Sequence, residues 1–224
     1  MKLDPVKDAG ILHILRRGTA EILRESENGI FLRDTVSDAY MLACSSEDEA
    51  VSWLRANEQR GYGLLTLADG RAADYAASRY HLTGRLDCFQ AVYLKNEPPA
   101  HAHGLTVREA VPADLQFVAE HYDMLDENDI EKIIRRGELL IGCRGEEIAG
   151  FAGEHLEGSI GLLEVLPEFR GQGCATQLEC AVISRILKRG FTPFGQIVKG
   201  NTASLRLQAK LGLEISGGYV SWLF

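Results

Sequence analysis

Apolar positions along the chain fall into short segments of changing period. Ile11, Ile14, Leu15, Ile22 and Leu23 recur near helical spacing and predict an opening helix. Ser46-Glu47-Asp48-Glu49 reads as a capping box that starts a helix through Ala50, Val51 and Leu54. Residues 40–44 and 63–67 pattern as buried strands. Residues 71–79 pattern as a helix and 86–94 as a closing strand.

Further on, 105–108 is a strand candidate. Pro112 suits a first helical position, with Leu115, Val118 and Tyr122 on one face. A second helix is expected over 127–136, then strands at 139–143, 148–156 and 159–166, turning at Arg144-Gly145-Glu146 and Glu157-Gly158. A helix over 173–189, a strand at 194–198, a helix over 201–211 and a strand at 214–222 complete the order β-α-α-β-β-β-α-β-α-β. The fold class is α+β, a mixed sheet with helices on its faces.

Pro98-Pro99 and Gly104 break the pattern, which divides the chain into an N-terminal α+β domain (1–96), a linker (97–104) and a second domain (105–224). His101 and His103 in the linker have no thiol or carboxylate at ligand spacing and read as solvated. The strand-helix-strand order of 63–93 returns at 194–222, which suggests a duplicated half-domain.

Composition narrows the function. With 46% apolar and 25% charged residues the chain is globular, not disordered. The net charge of −8, with neither half basic, argues against nucleic acid as a partner. No apolar run reaches the roughly 20 residues of a membrane span, and a charged N-terminal segment is no signal peptide, so a cytoplasmic location is expected. Cys44, Cys88, Cys143, Cys174 and Cys180 lack C-x-x-C spacing, so no disulfide framework or metal site is expected.

The sharpest chemical signal is Arg170-Gly171-Gln172-Gly173-Cys174-Ala175, a glycine loop between a proline-stopped strand and an amphipathic helix. Backbone N–H groups and the positive dipole end at such a helix start suit an anion such as a pyrophosphate, and Arg170 adds a fixed charge. Cys174, at the helix start, is a candidate reactive thiol, though a small packed residue accounts for it as well. Between Glu120 and Glu131 the carboxylates of Glu120, Asp123, Asp126, Glu127, Asp129 and Glu131 form an acidic segment.

This loop resembles the Q/R-x-x-G-x-G/A signature of the GNAT superfamily of acyl-CoA-dependent N-acyltransferases. The run from Asn201 to Leu213, with Lys210-Leu211-Gly212-Leu213, is similar to that family's second hallmark, an asparagine-led helix ending in K-x-G-F. Leu166-Pro167-Glu168-Phe169-Arg170 and the ending through Trp222 look most like the glycine N-acyltransferase-like, FR47-like branch. The resemblance covers the second half of the chain; the first half looks like a degenerate partner domain.

The resemblance implies a co-substrate, acetyl-CoA or another acyl-CoA, and no metal. Leu163, Glu164 and Val165 would run beside the pantetheine arm. Arg170, Gly171, Gln172, Gly173, Cys174 and Ala175 would hold the pyrophosphate, with Asn201 and Ser204 near the arm. It also implies aminolysis of the thioester by a small amine, and the acidic segment would draw a cationic one. A non-catalytic acyl-CoA-binding or interaction module is the alternative.

The positions where many members carry a base correspond to Ser159 and Gly161, and the tyrosine acid aligns with Gln208. Glu164 is the nearest carboxylate, yet strand alternation sets it on the opposite face from Ser159 and Gly161 unless a β-bulge intervenes. Glu154 and His155 are alternatives for the base, and Tyr219 is the candidate acid.

Overall fold

In chain order the elements of the computed structural model are α1 (Ala9–Arg17), β1 (Ala20–Glu25), β2 (Gly29–Asp34), β3 (Tyr40–Cys44), α2 (Glu47–Ala56), β4 (Leu65–Ala68), α3 (Arg71–Arg79) and β5 (Arg85–Val92). They continue with β6 (Thr106–Glu109), α4 (Leu115–His121), α5 (Glu127–Arg135), β7 (Leu139–Arg144), β8 (Glu147–Glu154) and β9 (Ile160–Val165). The last are α6 (Cys174–Lys188), β10 (Phe194–Val198), α7 (Thr202–Leu211) and β11 (Glu214–Leu223). The structure describes residues 2–68, 70–100 and 104–224; His101 and His103 lie outside the described residues.

The element order expected for the second half is the one observed. The opening helix is shorter than its apolar spacing predicts. Gly18 takes a left-handed φ of 76° and closes α1 by donating to the carbonyls of Ile14 and Leu15. Ile22 and Leu23 therefore belong to β1, whose pairing with the unpredicted β2 overrides the helical period.

The residues pack as two compact units, 1–92 with 196–208 and 214–224, and 93–195 with 209–213. This division cuts the chain differently from the linear one at 97–104, because β11 pairs antiparallel with both β4 and β5. In the first unit the strand order is β1-β2-β3-β4-β11-β5, with β3 and β4 parallel. Leu223 is buried with Phe31, Leu54 and Leu65 on one face, while Val220 and Trp222 join Ile14, Leu32 and Met41 on the other. Period-two alternation of one strand thus feeds two cores.

In the second unit β6, β7, β8 and β9 form an antiparallel run, and β9 then meets β10 in parallel at Ile160↔Gly195. One face is covered by α4 and α5, whose Val118, Ile130 and Ile133 bury against Ile141 and Phe151. The opposite face carries α6, and Gly142 lets Leu178 approach within contact distance. Each such side chain contributes about 1.5–3 kcal/mol by leaving water. That face-on-face packing fixes β9 and the start of α6, on which the candidate site is built.

Candidate functional site

The site begins with an irregularity in β9. Across β8 the register runs Phe151↔Glu164 and then Gly153↔Gly161, so β9 carries one residue more than its partner, and Leu162 there adopts φ 49°. This is a β-bulge. Residues directly opposite across strands share a face, and Phe151 and Gly153 are two apart, so the bulge turns Glu164 onto the same face as Gly161. The bulge that would reconcile Glu164 with Gly161 is present.

On the other edge of β9 the parallel ladder with β10 has, among the described residues, the single pair Gly195↔Ile160. Tyr122 lies beside the bulge, where the Leu162 backbone favours its ionised form. Burial pushes its pKa up to about 12, with the charges of Glu157, Asp123 and Glu164 adding to the shift.

Beyond Val165, Pro167 ends the strand and the chain enters the glycine loop. Gly171 (φ 73°) and Gly173 (φ 81°) both need a left-handed backbone, and a Cβ at either would meet nothing within 4 Å. The glycines are therefore required by conformation, and the space around them is open. No side chain caps α6, so the first-turn amides of this 15-residue helix keep their donors for an anion. Donors of this kind suit a pyrophosphate.

Sequence reading missed two of the charges around this loop. Arg144 at the end of β7 donates to the Gln172 side-chain oxygen and stands 4.0 Å from Cys174 Sγ. Lys210, in the K-x-G part of the second motif, reaches Thr176 Oγ1 in the first turn of α6 at 3.4 Å. That motif was the available signal for Lys210; nothing local marks Arg144. Gln172 Nε2 also holds the Glu168 carbonyl at 2.8 Å. Cys174 is buried, as a packed residue, so the reading of a reactive thiol is set aside.

Arg170 folds back, its Nη2 2.9 Å from Glu164 Oε1 and its Nε 2.9 Å from the Val165 carbonyl. Two residues expected to serve different parts of the ligand are thus brought together. Glu154 and His155 are separated by alternation. Glu154 is 2% exposed and ion-paired with Arg189 after the end of α6; burial pushes its pKa up to about 7 against the pull of that arginine. His155 turns to the face of Gly161, where a Cβ would collide with its ring. Ser159 is buried and donates to Glu157 Oε1 at 2.5 Å.

In the acidic segment, Asp126 caps α5 by accepting from the Asp129 amide at 2.8 Å, Asp129 pairs with Lys132 and Glu131 with Arg135. Those three are engaged within their own helix.

In the first unit the starts of α2 and α3 are occupied differently. Ser46 Oγ caps α2, whose first turn carries Glu47, Asp48 and Glu49. Glu47 also accepts from the Ala72 amide at the start of α3, at 2.7 Å. Carboxylates at these two helix starts repel phosphate. In the same unit Asn201 Oδ1 accepts from the Ser204 amide at 3.0 Å, capping α7. Tyr219 lies 4.4 Å from the Phe89 ring centroid and under Lys199 Nζ at 4.9 Å. Gln208 is buried.

Among the described residues no His, Cys, Asp and Glu group could hold a metal, and no helix is long and apolar enough to cross a membrane.

Comparison with known structures identifies the fold. The fold is that of the GNAT acetyltransferases. A Drosophila protein superposes with a TM-score of 0.66 at 18% identity over 87% of this chain and 72% of its own. A GCN5-related N-acetyltransferase from Kribbella flavida gives 0.58 at 10% identity over 97% and 93%. A tandem GNAT protein from the clavulanic acid biosynthesis pathway gives 0.50 at 14% over 100% and 89%. The model of the FR47-like protein family matches residues 142–220, about a third of the chain, and includes the glycine loop. No curated protein matches the sequence.

Proposed function

We propose that the protein is an acyl-CoA-dependent N-acyltransferase acting in the cytoplasm, which moves an acetyl or other short acyl group to the amine of a small, cationic acceptor. One observation carries this reading: an uncapped helix start behind two left-handed glycines, fed by a bulged strand whose parallel ladder stops at Ile160. The acyltransferase is assigned to 105–224 and the segment 1–96 to a degenerate copy.

In this mechanism the amides of the loop 171–175 and the charge of Arg170 hold the diphosphate. The backbone of Leu163, Glu164 and Val165 lines the pantetheine, with Asn201 and Ser204 contributing from the start of α7. A β9 amide aimed at the thioester oxygen stabilises the charge that develops there, by a few kcal/mol. A base on the Gly161 face takes a proton from the amine, with Glu164 and His155 the groups available. Tyr219 is proposed to protonate the departing thiolate.

The test is incubation of the full chain with acetyl-CoA and a panel of amino acids and polyamines, following free CoA and acylated product by mass spectrometry. Turnover with an amine is expected. Tight CoA binding in calorimetry without turnover would favour an acyl-CoA-binding module, the reading suggested by the lack of a side-chain base at Ser159 and Gly161. No heat with CoA would sink both.

A further inference from the structure

We propose that the imidazole of His155 is the general base, reaching over Gly161 from the β8–β9 turn into the space a β9 side chain would otherwise occupy. This rests on the acyltransferase reading above.

The argument starts from Gly161. Its φ lies outside the left-handed region, so its backbone is open to any L residue, unlike that of Gly171 or Gly173. A Cβ there would collide with His155 Nε2 and Cδ2 and stand 3.2 Å from Cε1. What requires a glycine at 161 is the histidine ring.

The turn holds that ring in place. The His155 amide donates to the Ser159 carbonyl at 2.8 Å, and the Gly158 amide returns a bond to the His155 carbonyl at 2.8 Å. Gly158 supplies the left-handed corner at φ 93°. Both backbone groups of His155 are thereby fixed, while the residue as a whole stays half-buried.

The location matches the chemistry. Gly161 directly follows Ile160, where the parallel ladder with β10 stops, and it precedes the bulge at Leu162. The ring therefore sits at the first residue of the open strand edge, beside the amides proposed to hold the thioester. Its face also carries Glu164, while Glu157 and Asp123 lie near Tyr122. These negative charges favour an approaching cationic amine. Glu164 is held by Arg170 and Glu154 by Arg189, so two of the competing carboxylates are engaged.

The step balances with the substrates named. The amine nitrogen forms a bond to the thioester carbonyl carbon, and a ring nitrogen of His155 takes the proton that nitrogen sheds. The C–S bond breaks with its electron pair on sulfur, and the thiolate leaves as CoA after protonation. Imidazole suits this role because its ordinary titration range lies near neutrality.

The experiment uses the full chain, the amine that gives the best turnover, and CoA calorimetry as the control for folding. H155Q is expected to lower kcat by about 10²–10⁴-fold with CoA affinity kept within about twofold. G161A, which evicts the ring, is expected to lose kcat similarly. In H155A, G161E grows a carboxylate into the vacated space and is expected to restore part of the rate. H155Q retaining kcat within about threefold, or E164Q alone abolishing it, would overturn the assignment. A wild-type chain that binds CoA but acylates no amine fails at the earlier step and takes the proposal with it.

Discussion

Arg170 Nη2 stands 2.9 Å from Glu164 Oε1, a pairing between the glycine loop and the bulged strand that immediately precedes it. Both side chains are partly exposed, so the pair is worth at most about 1 kcal/mol, and a diphosphate can outcompete it. E164Q removes the competitor and is expected to tighten CoA binding by about two- to fivefold. R170A is expected to weaken it by about three- to tenfold and to reduce its salt dependence. Calorimetry at two ionic strengths checks both.

Gly173 is the N-cap of α6 at φ 81°. An alanine there meets no steric neighbour, so its cost is conformational, about 1–2 kcal/mol. G173A is expected to lower thermal stability accordingly. It is also expected to shrink the stabilisation that saturating CoA confers, because the loop can escape strain only by turning its amides away. Thermal unfolding with and without CoA separates the two effects.

Glu154 gives a pH signature. Its carboxyl is raised from 4.5 to about 7 by burial, despite Arg189. The folded state then binds the proton more tightly than the unfolded one. This contribution is fully present below pH 4.5 and is lost as pH rises toward about 7, a change on the order of 3 kcal/mol. Urea denaturation from pH 4 to 8 should show wild type losing stability across that window relative to E154Q. Parallel curves would contradict it.

The acidic segment divides into structural and free charges. D126A removes the α5 cap and is expected to cost about 1 kcal/mol in stability. If the segment attracts the acceptor, the D123N/E127Q double variant should raise KM severalfold for a cationic amine and leave KM for a neutral amine unchanged. Equal changes for both amines would contradict the electrostatic reading.

The local pieces of this protein were legible in its residues. The helices and strands of the second half, the glycine loop and the Asn201 cap follow from apolar period, from φ values that glycine alone adopts easily, and from short-range hydrogen bonds. Sequence by itself therefore determined the order of elements in the second half, the GNAT likeness and the glycine loop that leads into α6.

What it left undecided depends on partners distant in the chain. Ile22 and Leu23 join a strand because β2 pairs with it, and β11 inserts between β4 and β5 because both faces of Leu223 and Trp222 find cores there. The shared face of Glu164 and Gly161 depends on one extra residue in β9, since a single-residue shift of register inverts every side chain. Only tertiary structure set His155 over Gly161 and Arg144 beside Gln172. Strand pairing and close packing are collective, so no local pattern encodes which distant side chain fills the space a glycine leaves.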